Sequence, residues 1–73
     1  MKVYHLNIDD KRDKYDRNWY FDTAAKAMQE AELCLPQYKL TWECWPKSGN
    51  PTRWESRPHI SIFVTVTEHG IQH

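Results

Sequence analysis

A chain of 73 residues is read as one domain, 1–73, near the length at which a single core gives only about 3–5 kcal/mol of net stability, which leaves little for a strained active site. Ten basic and ten acidic side chains cancel, with a pI near 6.9, so neither a polyanion-binding field nor a nucleic-acid mimic is indicated. No apolar run approaches the roughly 20 residues of a membrane span and no charged-then-apolar leader opens the chain, so a soluble, unprocessed, cytoplasmic protein is expected.

Residues 2–8, KVYHLNI, alternate with Tyr4, Leu6 and Ile8 on one side and Val3, His5 and Asn7 on the other, the period of a half-buried strand. Residues 9–17, DDKRDKYDR, carry four acidic and four basic side chains and read as a solvated loop. The aromatic run NWYF, 18–21, then returns antiparallel to the first strand.

Residues 22–35, DTAAKAMQEAELCL, hold the only helical apolar period: Ala24, Ala27, Met28, Ala31 and Cys34 fall on one narrow stripe. Asp22 is the expected N-cap and Pro36 the stop. An alanine stripe lets the helix lie close to a flat, bulky partner, which the strands supply. Leu33 lies on the opposite side of the helix, where Gln29 and Glu30 would join it in a second contact surface if it is exposed.

After Pro36, YKLTWECW alternates as a third strand, with Tyr38, Leu40, Trp42 and Cys44 on one side and Lys39, Thr41, Glu43 and Trp45 on the other. Residues 46–58, PKSGNPTRWESRP, contain three prolines and a glycine and are expected to be a long loop. HISIFVTVTE follows as the strongest strand, with Ile60, Ile62, Val64 and Val66 inward and His59, Ser61, Phe63, Thr65 and Thr67 outward. The tail EHGIQH is expected to fray.

The resulting fold is α+β: a four-stranded antiparallel sheet in the order β-β-α-β-β with one helix on one face. Tyr4, Leu6, Ile8, Ala24, Ala27, Met28, Ala31, Leu35, Leu40, Trp42, Ile60, Ile62, Val64 and Val66 form the predicted core. Cys34 and Cys44 are too few for a disulfide framework and lack zinc-site spacing; two buried thiols or one disulfide remain open.

One helix cannot cover both sheet faces, so the other displays His5, Glu43, Trp45, His59, Ser61 and Phe63. Trp45 and Phe63 either pair with each other across the strands or anchor an interface, since aromatic and arginine side chains dominate binding hot spots. Lys47, Arg53, Trp54 and Arg57 in the long loop face a single acid, Glu55. The predicted partner-binding residues are therefore Trp45, Lys47, Arg53, Trp54, Arg57 and Phe63. Contact with a protein leads; contact with nucleic acid through the same aromatics as stacking platforms is the alternative. An exposed terminal strand also leaves a homodimer open.

No phosphate-binding glycine loop, nucleophile elbow or pocketed carboxylate pair occurs, and no enzyme activity or cofactor is expected. His5-Leu6-Asn7 and His59-Ile60-Ser61 distantly resemble the paired His-x-Ser/Thr motifs of two-histidine phosphoesterases, though Asn7 stands where a hydroxyl belongs and the chain is too short for that two-lobed fold. His69 and His73 have ligand spacing but lie in a glycine-broken tail, and no metal site is expected.

Residues 18–45, a strand ending in aromatics and Asp22, then DTAAKAMQEAE, then YKLTWECW, resemble the strand, capped alanine-rich helix and strand of very small phage-encoded inhibitors, among them type I anti-CRISPR proteins and a phage inhibitor of host RNA polymerase. That resemblance implies a non-enzymatic protein acting in the host cytoplasm, which blocks a host protein or ribonucleoprotein complex by occupying its surface. No functional residue carries over, and the neutral charge departs from the acidic character of several such inhibitors.

Overall fold

The structure, a computed structural model, describes residues 2–70. Strand β1 (Lys2–Asp10) and strand β2 (Tyr15–Phe21) form an antiparallel hairpin in unbroken register, from Tyr4 opposite Phe21 to Asp10 opposite Tyr15. The predicted loop over 9–17 is thereby narrowed to residues 11–14. Asp10 is the physical reason. Its Oδ1 accepts from the backbone N–H of Arg12 (3.0 Å) and of Asp13 (3.4 Å), and Lys14 closes the turn in the left-handed region with φ 52°. Charged residues before and after the turn still pair, because every second one faces away from the core.

Helix α1 (Ala24–Cys34) is capped by Thr23, whose Oγ1 accepts from the Lys26 N–H at 3.2 Å, and not by Asp22 as the sequence suggested. Asp22 instead pairs with Lys26 at 3.0 Å, and the hydrogen bond and charge of that ammonium hold its carboxyl below the usual pKa. The pairing is exposed and small; it is present above the ordinary carboxylate range and lost as pH falls through the lowered pKa. Ala27 and Ala31 are fully buried, and α1 lies over β1, β2 and strand β5 (Ile62–Gly70). Leu33, on the far side, is 68% exposed.

β5 pairs with β1 along its whole length, from Lys2 opposite Gly70 to Asp10 opposite Ile62. These two strands supply Leu6, Ile8, Ile62, Val64 and Val66 to a core completed by Ala27, Ala31 and Leu35. Tyr4, Trp19, Phe21, Met28, Tyr38, Leu40, Trp42 and Trp54 pack around it. Glu68 to Gly70, in the tail expected to fray, continue β5 opposite Lys2 to Tyr4, and Lys2 pairs with Glu68 at 2.7 Å; residues 71–73 lie outside the described residues.

The sheet has five strands and not the four expected, in the order β2-β1-β5-β4-β3, all antiparallel. The missing strand, β4 (Arg53–His59), occupies the segment predicted to be loop. Pro58 is accommodated because the register slips between Ser56 and His59, and a slip is where a strand tolerates proline. The third predicted strand, 38–45, contracts to β3 (Glu43–Trp45). Tyr38, Leu40 and Trp42 do face the core as alternation implied, but their backbone joins no ladder. Of the strand, helix and strand that resemble the phage inhibitors, β2 and α1 stand and the last is three residues long. Ile60, expected inward, sits in the two-residue turn between β4 and β5 and is 90% exposed.

Cys34 and Cys44 are free thiols. Burial and a hydrogen bond from its Sγ to Glu30 Oε2 (3.4 Å) raise the pKa of Cys34. Among the described residues no helix is long and apolar enough to cross a membrane.

Ser56 faces Val64 from β4 with its Oγ buried and without a hydrogen-bond partner. A buried hydroxyl that makes no bond costs more than it returns, so Ser56→Ala is expected to leave stability unchanged or raise it by up to about 1 kcal/mol. Urea denaturation would measure it, and a clear loss would show that the hydroxyl is bonded in solution.

Candidate functional site

Directly opposed residues of a sheet share a face, so the register defines what the helix leaves uncovered. One row across the open face reads Tyr20, His5, Thr67, Arg53 and Trp45, in the order of the strands. The next reads Asn18, Asn7, Thr65, Glu55 and Glu43, and a third Asp16, Asp9 and Phe63. Arg57 completes that third row, its guanidinium 4.9 Å from the Phe63 ring centre.

Two polar clusters organise the face. On the β4 and β3 side, Arg53 pairs with Glu55 at 2.7 Å, the Trp45 indole N–H donates to Glu55 Oε2 at 3.2 Å, and the Lys47 ammonium lies 4.8 Å from the Trp45 ring centre. Glu55 thus fixes the indole, and Trp45 remains 41% exposed. Glu43 stands directly opposite Glu55, a like-charge juxtaposition that weakens the β3 pairing, and no cation pairs with it among the described residues. On the β1 and β2 side, Asn18 Oδ1 accepts from His5 Nε2–H (2.7 Å) and from Asn7 Nδ2 (3.1 Å), while Asn7 also donates to Asp16 Oδ1 at 2.7 Å. The His5 ring stacks on Tyr20, centres 4.9 Å apart, and lies 5.9 Å from that of His69.

Between the clusters the surface is dimpled. A depression of about 270 Å³ is lined by Thr41, Glu43, Glu55, Ser56, Arg57 and Phe63, and another of about 190 Å³ by Asp9, Lys11, Arg57, Ile60, Ser61 and Phe63. The stacked Arg57 and Phe63 form the ridge between them. Such open hollows can receive single side chains of a partner.

Of the predicted binding residues, the structure brings Trp45, Lys47, Arg53, Arg57 and Phe63 onto this face. It does not bring Trp54. That indole opposes Val66 and Cys44 on the helix side, packs on the core and meets Tyr4 edge-on at 6.1 Å. A loop over 46–58 would leave it beside the arginines; in a strand, its neighbours Arg53 and Glu55 point the other way. Tyr20, 67% exposed, joins the face unforeseen, and alternation within NWYF, with Trp19 and Phe21 packed on the core, was the signal for it.

The paired histidine motifs are not assembled. His5 opposes Thr67 and His59 opposes Ile62, five positions away, which alone separates them by roughly 16 Å along the strand. They also face opposite ways: His59 opposes the buried Ile62 and lies beside Tyr38, and its Nδ1 accepts from the Ser61 N–H at 3.2 Å. Among the described residues no group of three or more His, Cys, Asp or Glu side chains could hold a metal ion; His73 lies outside them.

No protein-family model matches the chain, and neither curated proteins nor solved structures show a significant similarity to it.

Proposed function

We propose that this is a non-enzymatic binding protein that docks through the open face of its sheet onto a protein surface, with Trp45 and the ridge of Arg57 over Phe63 as anchors. The carrying observation is an exposed tryptophan whose orientation is fixed by Glu55, on a sheet face that no element of the described chain covers. A pre-oriented aromatic loses little freedom on binding, and the arginines add forked hydrogen bonds to carboxylates or backbone carbonyls. Glu43, without a cation of its own, suits a lysine or arginine of the partner.

Charge favours a protein over nucleic acid. Around the face, Asp9, Asp16, Glu43 and Glu55 interleave with Lys11, Lys47, Arg53 and Arg57, four acids to four bases, and Arg53 is already paired with Glu55. That pattern produces no positive field along which a phosphate backbone would run. The resemblance of the sequence over residues 18–45, strand, capped alanine-rich helix and alternating segment, to small phage inhibitors supports a large host complex as the target class.

The test is affinity capture from bacterial lysate with the intact chain and with Trp45→Ala plus Arg57→Ala, both sites lying outside the core. The double variant is expected to weaken capture of the specific partner at least about tenfold while its circular dichroism is unchanged. Equal capture by both chains would remove the open face from the function. Oligonucleotide binding that is tight at low salt and falls steeply as salt rises would favour the stacking alternative.

A further inference from the structure

The two edges of the sheet are treated differently. The β3 edge is three residues long, is followed at once by Pro46 and carries the opposed Glu43 and Glu55, all features that discourage another strand from pairing. The β2 edge has seven residues, no proline and no slip in register, and among the helix and strands of the described residues β2 touches only β1 and α1. A long, regular, unpaired strand offers a row of free backbone donors and acceptors.

From this we infer that β2 pairs antiparallel with β2 of a second copy of the chain about a two-fold axis at Asn18, joining the two sheets edge to edge. Side-chain complementarity selects both the occupant and the register. In such a dimer opposed residues share a face, so the axis passes through a single position. An axis at Asp16 opposes two aspartates and one at Arg17 opposes two arginines, both repulsive. An axis at Trp19 leaves Tyr15 unpaired and sets Asp16 against Asp22.

The axis at Asn18 pairs the strand over its full length. Arg17 then opposes Trp19, a cation over an indole; Asp16 opposes Tyr20, a carboxylate facing a phenol O–H; and Tyr15 opposes Phe21. Asn18 uses its Oδ1 within its own chain and has no intramolecular acceptor for its amide N–H groups among the described residues, which leaves them for the axis. The helices do not obstruct this. With α1 over β1, β2 and β5, the two helices would lie roughly three strand spacings, about 14 Å, apart, beyond the 8–10 Å or so of helices in contact.

Sedimentation equilibrium of the purified chain tests the inference. The mass is expected to rise with concentration from 8.8 kDa toward twice that value. Tyr20→Glu sets a glutamate against Asp16 twice in each dimer and is expected to weaken association roughly tenfold or more, whereas adding Asp16→Lys restores it. A wild-type chain that stays monomeric at millimolar concentration would overturn the proposal, as would a dimer indifferent to Tyr20→Glu or one that the second change fails to restore. Asn18→Cys supplies a check that does not depend on those variants folding. Opposed Cα atoms about 4.5–5.5 Å apart lie within disulfide range, so mild oxidation should yield a dimer joined through position 18 on peptide mapping. Absence of that cross-link equally overturns it.

Discussion

A Leu6→Ala chain is expected to lose about 2–5 kcal/mol of stability, the usual cost when a fully buried leucine is cut back and its neighbours cannot close the space. Leu6 has no exposed surface and sits between Trp19 on β2 and Val66 on β5, both held by strand pairing, under the helix. Collapse would require the sheet to bend. A domain of this length draws only about 3–5 kcal/mol of net stability from its single core, so the variant loses a large fraction of it. Urea denaturation followed by tryptophan fluorescence should show the midpoint fall by a third or more with the slope preserved. A smaller shift would mean that the core is not centred on β1.

Ala27→Leu is expected to cost about 1–3 kcal/mol through the opposite fault. Ala27 and Ala31 are fully buried where α1 meets the sheet, and their small side chains set the close approach of helix to strands. Added methylenes would push α1 away from β1 and β5 or force poor rotamers on Leu6, Ile8 and Val64. The matched control is Ala25→Leu on the exposed side of the same helix, expected to change stability by no more than about 0.5 kcal/mol. If both variants unfold at the same urea concentration, the alanine stripe is not what brings helix and sheet together.

The alternation of Leu6 and Ile8 with His5 and Asn7, and of Ile62, Val64 and Val66 with Phe63 and Thr65, was strong enough to identify the central strand pair and its buried side. The alanine period did the same for α1. β4 was not legible, because the position between its outward Arg53, Glu55 and Arg57 that should be apolar is Ser56, and Pro58 signals a break that the register slip absorbs. The same feature hides the place of Trp54: a loop would leave it at the surface with its charged neighbours, whereas the strand turns it inward. Trp45 and Phe63 lie on the open face as alternation implies, each next to an inward residue of its strand. Thr23 in place of Asp22 as the N-cap was beyond the sequence, since both are good caps and adjacent; which one takes the position depends on the backbone as it leaves β2.

Full-length pairing of β1 with β5 has a further outcome for how the molecule is made. The middle of the sheet is built from opposite ends of the described chain, with Lys2 beside Gly70, so the most extensive strand pairing spans the greatest separation along the polypeptide. Closing so large a loop before any reward is the slow part of assembly for this kind of topology. A nascent chain emerging from the ribosome would hold the β1 and β2 hairpin under α1 but with the free edge of β1 and the apolar surface that β5 completes still open until β5 appears, an interval in which chaperones or aggregation compete for it.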